Sequence, residues 1–264
     1  AIQADPANPG YDAMNIKALK ADIVGASVDM PSLTSSVSRD NQGRATKVVT
    51  DPFALTIKAR DNADGEQFAG ALATMGFETL SFTGAGESLY DPDADIVTLA
   101  KGKNHWTLKD GFKLDFSAKY AGTKAVAAAQ TASLDANADP EAMLSSVLQN
   151  VIIHQFEIAL DDDGMLDRAL NAHAAQSGED PAAVRGQLSG MFAMAPMFAA
   201  GTGIDAAVVS ELATALSSFV TEPKTLTISL APKTPVAAQA FADAASDPAK
   251  KLTKETLGFS AGNK

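Results

Sequence analysis

The alternation of apolar and polar residues over 112–120 constrains the fold more than any other feature of the chain. The apolar positions are Phe112, Leu114, Phe116, Ala118 and Tyr120. The positions between them are Lys113, Asp115, Ser117 and Lys119. Successive side chains of a strand point to opposite faces, so this period of two predicts a half-buried antiparallel strand. We expect Phe112, Leu114 and Phe116 to lie in the core, with Lys113 and Asp115 facing water.

Two further extended runs, 80–90 and 96–108, precede this strand and are separated from it and from each other by short polar turns. Three such runs predict an antiparallel β-meander. Earlier strands are expected over 15–30 and 45–59, with the turn 40–43 between them. A short helix is expected over 67–75.

Composition changes near residue 122, because alanine supplies 19 of the first 122 residues and 32 of the last 142. Alanine favours helix, and three Asp-Pro pairs have the form of helix starts. Helices are predicted over 140–149, 164–176, 181–199, 204–220 and 235–246. Strands are predicted over 150–161, where Ile152, His154, Phe156, Ile158 and Leu160 would share a face, and over 224–230.

This order predicts an α+β fold: an antiparallel β-meander sheet in the first half and an Ala-rich helical block in the second, with two strands returning to the sheet. We expect one domain over 1–264. The alternative is a β-rich part over 1–122 and an α-rich part over 123–264.

The bulk composition excludes several classes of function. The 264 residues carry a formal net charge of −11, which disfavours nucleic acid and anionic membranes as partners. There is no cysteine, so thiol catalysis and thiolate metal sites are excluded. No apolar run reaches the ~20 residues of a transmembrane helix. Because residue 1 is Ala, the chain is expected to follow either a removed signal peptide or an excision boundary.

Motifs for catalysis are missing from the sequence. The three histidines, His105, His154 and His173, have no metal-ligand spacing, and His154 is expected to be a hydrogen-bonded core residue rather than a general base. Ser88 lacks the second glycine of a nucleophile elbow. No glycine-rich phosphate or dinucleotide loop is present.

Acidic clusters remain, and each has a structural and a chemical interpretation. Asp91, Asp93 and Asp95 have the first spacings of a calcium loop but lack its glycine and its bidentate glutamate, so a hairpin turn is favoured. The oxygen-rich turn 61–66 is interpreted in the same way. The run 161–163 precedes a helix start, where carboxylates stabilise the helix N-terminus; paired carboxylates for hydrolysis would need another acid facing them.

The most unusual local feature is a methionine-rich helix. It contains Met191, Met194 and Met197 interleaved with Phe192 and Phe198, and these five residues are the predicted ligand-binding site. Three interpretations compete: a Cu(I) site, an adaptable apolar surface, and a plain buried helix. Pro196 is expected to kink or end this helix. No cofactor, metal site or catalytic residue is predicted.

Three segments resemble the soluble parts of proteobacterial envelope proteins near the AsmA-like and tubular lipid-binding groups. They are Leu89-Tyr90-Asp91-Pro92-Asp93, Asp162-Asp163-Gly164 and the run 219–228. The resemblance implies a periplasmic location and contact with lipid, and it assigns no functional residue. The large helical block departs from the pattern of a tubular lipid binder.

Together these features predict a non-enzymatic cell-envelope protein that binds a hydrophobic, lipid-like molecule or a protein partner. One alternative is a structural or assembly module of a larger envelope protein. A second is a hydrolase that uses carboxylates, supported only by the number of acidic residues.

Overall fold

The fold is described from a computed structural model, which places residues 10–133, 139–198, 203–247 and 249–264. Within these ranges the chain forms eleven strands and eight helices. The strands are β1 (Ala13–Ile23), β2 (Ala26–Arg39), β3 (Ala45–Ala59), β4 (Thr79–Asp91), β5 (Ile96–Leu99), β6 (His105–Leu108), β7 (Phe112–Ala121), β8 (Ile152–Asp162), β9 (Thr225–Leu230), β10 (Val236–Ala237) and β11 (Phe259–Asn263). The helices are α1 (Ala63–Thr74), α2 (Thr123–Ala132), α3 (Pro140–Asn150), α4 (Met165–Ser177), α5 (Pro181–Phe198), α6 (Ala206–Thr221), α7 (Ala238–Ser246) and α8 (Lys254–Leu257).

All the strands join one antiparallel sheet, in the order β1-β2-β3-β4-β5-β7-β8-β9-β11. β6 continues the line of β5 between β4 and β7, and β10 pairs with the start of β8. The predicted α+β fold with an early meander is therefore confirmed. The two later predicted strands, β8 and β9, return to the same sheet as predicted.

Several predicted boundaries are wrong for local reasons. The single run expected over 15–30 is two strands, because Gly25 turns the chain at a φ of +71°. The run over 96–108 is interrupted at residues 100–104, where Asn104 is buried and holds a turn. The sequence analysis did not predict α2, α8, β10 or β11. The two residues of β10 lie within the helix expected over 235–246, which begins only at Ala238.

The expected alternation in β7 is present, but its burial differs from the prediction. Phe112, Leu114 and Phe116 face the same side and are each half-buried, and of the three only Phe112 packs against a buried cluster. Lys113 is exposed as expected, whereas Asp115 is half-buried beside it. The helices cover the apolar face of the sheet unevenly, so residues on the same side of β7 are buried to different extents.

The face predicted for β8 is correct only for its second half. Phe156, Ile158 and Leu160 lie opposite Ala118, Phe116 and Leu114. A register shift between Lys119 and Tyr120 then places Ile153 opposite Tyr120, so the alternation does not extend to His154 and Ile152. A one-residue irregularity of this kind exchanges the faces of all the side chains on its far side, which here is the start of β8.

The helices pack on the apolar face of the sheet. Phe219 and Ala215 of α6 cover Leu160 and Leu226, and α6 and α7 cover Phe259. At the other end, Leu72 of α1 covers a second group of strand residues, which are Leu80, Phe82, Leu108 and Phe112.

Between these clusters the apolar face stays partly open. Trp106 is 43% exposed and Phe156 is 37% exposed. Trp106 packs edge-on against Phe53, with 5.3 Å between ring centroids, in a space that Gly84 leaves free. A Cβ at Gly84 would lie 2.9 Å from the Phe53 ring, so a side chain there would displace it.

The edge of the sheet at β11 is closed by side chains. The Glu211 carboxylate of α6 accepts a hydrogen bond from the Ala261 N–H at 3.0 Å and pairs with the Lys254 ammonium at 2.5 Å. The hydrogen bond from Lys254 lowers the pKa of Glu211, and the bond from the Ala261 amide lowers it further. At the opposite edge, Lys17, Lys20 and the positive φ of Ala18 in β1 are features that discourage pairing with another strand.

We predict that truncating the buried ring of α6 is much more costly than truncating the open ring of β8. Phe219 is 7% exposed. Phe219→Ala should lower the free energy of unfolding by about 3–5 kcal/mol, because both the transfer free energy of the ring and its packing contacts are lost. Phe156→Ala, at 37% exposure, should lose about 1 kcal/mol. Urea denaturation measures both values. Equal losses would contradict the uneven cover described above.

A second prediction concerns the pH dependence of stability at the β11 edge. The folded-state pKa of Glu211 lies below its unfolded value, so its contribution is present above the unfolded pKa and is lost as pH falls through the folded pKa. The free energy of unfolding of wild type should exceed that of Glu211→Gln by about 1 kcal/mol near neutral pH. The difference should begin to shrink as pH falls past about 4.3, the ordinary pKa of glutamate, and it should be lost only below the lower folded-state pKa. In a Lys254→Met background the substitution should cost less. A pH-independent difference would show that the charge of Glu211 is not what stabilises the edge.

Candidate functional site

The predicted site lies at the distal end of α5, whose proximal half is firmly anchored. The Asp180 carboxylate caps the helix by accepting from the Ala182 N–H at 2.7 Å. Arg185 donates to the Asp167 carboxylate of α4 and to the Val220 carbonyl of α6. Val184 is buried against α4. This half of α5 is therefore part of the packed helical layer.

The distal half of α5 exposes its methionines. Met191 is 55% exposed, Met194 is 51% exposed and Met197 is 76% exposed. We call these three side chains the methionine face. Phe192 is half-buried beneath it, and the Phe198 side chain lies outside the described residues. The structure therefore brings the three thioethers together on the surface, and the prediction that these residues form a binding site stays a prediction.

The methionine face carries no group that can form a strong hydrogen bond. The side chains over 190–198 belong only to Gly, Met, Phe, Ala and Pro, and no charged residue occurs between Arg185 and Asp205. Pro196 lies inside α5, which continues past it to Phe198, so the expectation that the helix ends at Pro196 is wrong. A groove of about 380 Å³ runs between α5 and α6, but it is lined by small residues such as Ala193, Ser210 and Ser217 and not by the methionines.

The chain that follows α5 is fixed again at Ile204. Ile204, which is 43% exposed, forms a parallel bridge with Leu252. The Asp205 carboxylate accepts hydrogen bonds from the N–H groups of Ala207 at 3.0 Å and Lys254 at 3.1 Å. The hydrogen bond from Ala207 lowers the pKa of Asp205 most, and the hydrogen bond from Lys254 lowers it further. The methionine face is thus held between two anchored segments.

The acidic turns are engaged by the protein itself. Asp91 accepts from the N–H groups of Asp93 and Ala94 in the hairpin turn, as expected. Asp95 accepts from the Thr123 hydroxyl at 2.5 Å and from the Tyr90 hydroxyl at 2.9 Å, which ties the turn to the start of α2. Asp162 caps α4 through the Leu166 N–H at 2.9 Å. Sequence reasoning foresaw the hairpin turn and the helix start but not the contact between Asp95 and Thr123.

The histidines lie apart in the fold, on β6, β8 and α4. Throughout the residues that the structure places, no group of three or more His, Asp and Glu side chains has the arrangement of a metal site. No helix in the same ranges is both long enough and apolar enough to cross a membrane.

Comparison with known proteins assigns the chain to a family. A protein-family model described as "Uncharacterized protein" matches residues 105–264, from the start of β6 to the end of the chain. The match covers more than half of the chain, and the chain belongs to this family. No curated protein matches the chain.

Proposed function

We propose that the protein is a non-enzymatic lipid-binding protein of the cell envelope, and that the methionine face of α5 inserts into the apolar part of a lipid surface. The observation that carries this proposal is the exposure of Met191, Met194 and Met197 within a stretch that has no charge. Flexible thioethers adapt to irregular apolar surroundings, as a fluid lipid layer provides.

The lack of hydrogen-bonding groups on the methionine face favours lipid over protein. Protein interfaces are enriched in Met as well as in Tyr, Trp and Arg, and they carry about one hydrogen bond per 100–200 Å². The methionine face shares the methionine of such interfaces but offers no hydrogen bond, and lipid hydrocarbon requires none. The groove beside it is lined by small and hydroxyl-bearing residues, so contact with a lipid surface fits better than enclosure of a single acyl chain.

The expected affinity is low. Burying one methionine completely contributes about 1.5–3 kcal/mol, so the exposed parts of three contribute roughly 3–5 kcal/mol. Such a contact is reversible, and a second attachment would be needed for stable anchoring. The net charge of −11 makes neutral lipid the better surface, because anionic lipid repels an acidic chain.

The proposal predicts that a charge on the methionine face abolishes lipid binding without affecting the fold. Because the expected contact is weak, the vesicle-bound fraction is measured at equilibrium, by sedimentation with neutral phosphatidylcholine vesicles at lipid concentrations well above about 1 mM. Wild type should bind the vesicles, and Met194→Glu should stay free. The matched control is Ala182→Glu, which adds the same charge to an exposed position on the anchored end of α5. This control should bind like wild type, and all three proteins should melt at similar temperatures.

Two results would contradict the proposal. If Met194→Glu binds the vesicles as well as wild type, the methionine face does not bind lipid. If Met194→Glu unfolds the protein while Ala182→Glu does not, Met194 belongs to the core and the interpretation as a plain buried helix is correct.

A second candidate function, an assembly module, is favoured by apolar side chains that are exposed away from the methionine face. Ile23 is 54% exposed and Val24 is 85% exposed at the turn between β1 and β2. Exposed apolar groups of this kind are typical of contacts with another protein. An assembly module would stay free of vesicles and would change sedimentation only with its protein partner.

A further inference from the structure

The polar face of the sheet, opposite the face covered by α6, contains a cleft of about 410 Å³ over β7, β8 and β9. The strand register arranges nine residues of this face as a grid of three rows, and all of them except Ser229 line the cleft. These rows are Lys113–Asp161–Thr225, Asp115–Ala159–Thr227 and Ser117–Glu157–Ser229. Ala159 lies at the centre of the grid and has the smallest side chain. The surface above the sheet is therefore lowest there, and polar side chains surround it.

The loop 100–104 forms a wall of this cleft and is rigidly held. The buried Asn104 accepts from the Glu87 N–H at 2.9 Å and donates to the Ala100 carbonyl at 3.1 Å. The Asn104 carbonyl accepts from the Phe116 N–H at 3.0 Å. The loop thereby brings Lys101 and Gly102 to the cleft.

The cleft already accommodates two ammonium groups, each paired with a carboxylate. Lys101 lies 2.5 Å from Glu157, and Lys113 lies 2.6 Å from Asp115. The third carboxylate, Asp161, accepts a hydrogen bond from the Thr225 hydroxyl. Lys113 lies opposite Asp161 and its pKa is raised mainly by Asp115 and to a smaller extent by Asp161, but within the described ranges Lys113 forms its ion pair with Asp115 and not with Asp161. The lining therefore has one negative charge more than it has positive charges.

Ser117 gives an independent indication of a ligand. The residue is 6% exposed, lines the cleft, and its hydroxyl oxygen has no hydrogen-bond partner in the described part of the chain. A buried hydroxyl without a partner costs about 1–3 kcal/mol, so such groups normally have a partner in the working molecule.

We propose that this cleft binds a small molecule that carries a primary ammonium group, with Asp161 as its counter-ion and the Ser117 hydroxyl as an additional acceptor. An anionic ligand fits less well, because both lysines are already neutralised by carboxylates. The site lies on the opposite face of the sheet from the helices, and the proposal does not depend on lipid binding by α5.

The test measures binding of 1,5-diaminopentane to the full chain by isothermal titration calorimetry. Wild type should bind the diamine, whereas pentane-1,5-diol and glutarate, which have the same carbon chain, should not bind. Asp161→Asn should weaken binding about tenfold, the usual effect of losing a hydrogen bond to a charged group. The matched control is Asp163→Asn, which removes the same charge from an exposed position two residues away.

Ser117→Ala separates a built site from general attraction to an acidic chain. It removes no charge, so weaker binding in this variant requires contact with the hydroxyl. The proposal is overturned if Asp161→Asn and Asp163→Asn weaken binding equally, if Ser117→Ala binds like wild type, or if the diamine does not bind. Binding of glutarate in place of the diamine would also overturn it.

Discussion

The pairing of β7 with β8 is the interaction on which the rest of the structure depends. It runs from Phe112 opposite Asp162 to Ala121 opposite Ile152, and it joins the early meander to strands that follow two helices. Because side chains alternate along both strands, one register places Phe116 beside Ile158 on one face and Ser117 beside Glu157 on the other. A slip by one residue would exchange the two faces and remove the helical core and the polar cleft together.

The two faces of the sheet differ in burial and polarity, because only one of them is covered by helices. On the apolar face, α6 contributes Phe219 above Leu160 and Leu226, and this contact gives the late strands their burial. The cover ends before Trp106 and Phe156, which stay partly exposed. On the polar face, charged side chains satisfy one another in pairs, and a carboxylate and a hydroxyl remain for a ligand. The proposed lipid contact of α5 and the proposed ammonium site of the cleft therefore lie in separate parts of the fold.

The sequence by itself determined the local structure wherever the period was strict. The alternation over 112–120 identified β7, and Asp139 and Asp180 capped α3 and α5 at the prolines that follow them. It also identified the methionines of α5 as unusual, because their composition differs from that of an ordinary buried helix. The break between β1 and β2 was missed, because the turn at Gly25 is flanked by apolar residues that resemble a continuing strand.

Only the tertiary structure decided which residues meet and which stay exposed. Lys101, Ser117, Glu157 and Asp161 are separated in the chain, and a period of two shows the face of a side chain within its own strand but not its neighbour in the next strand. The partner depends on register, which pairing with β8 and β9 sets over long sequence distances. Exposure of Met194 likewise depends on which side of α5 faces α6, and no local pattern records that. Local chemistry therefore specified strands and helix starts, while packing between distant segments created both candidate sites.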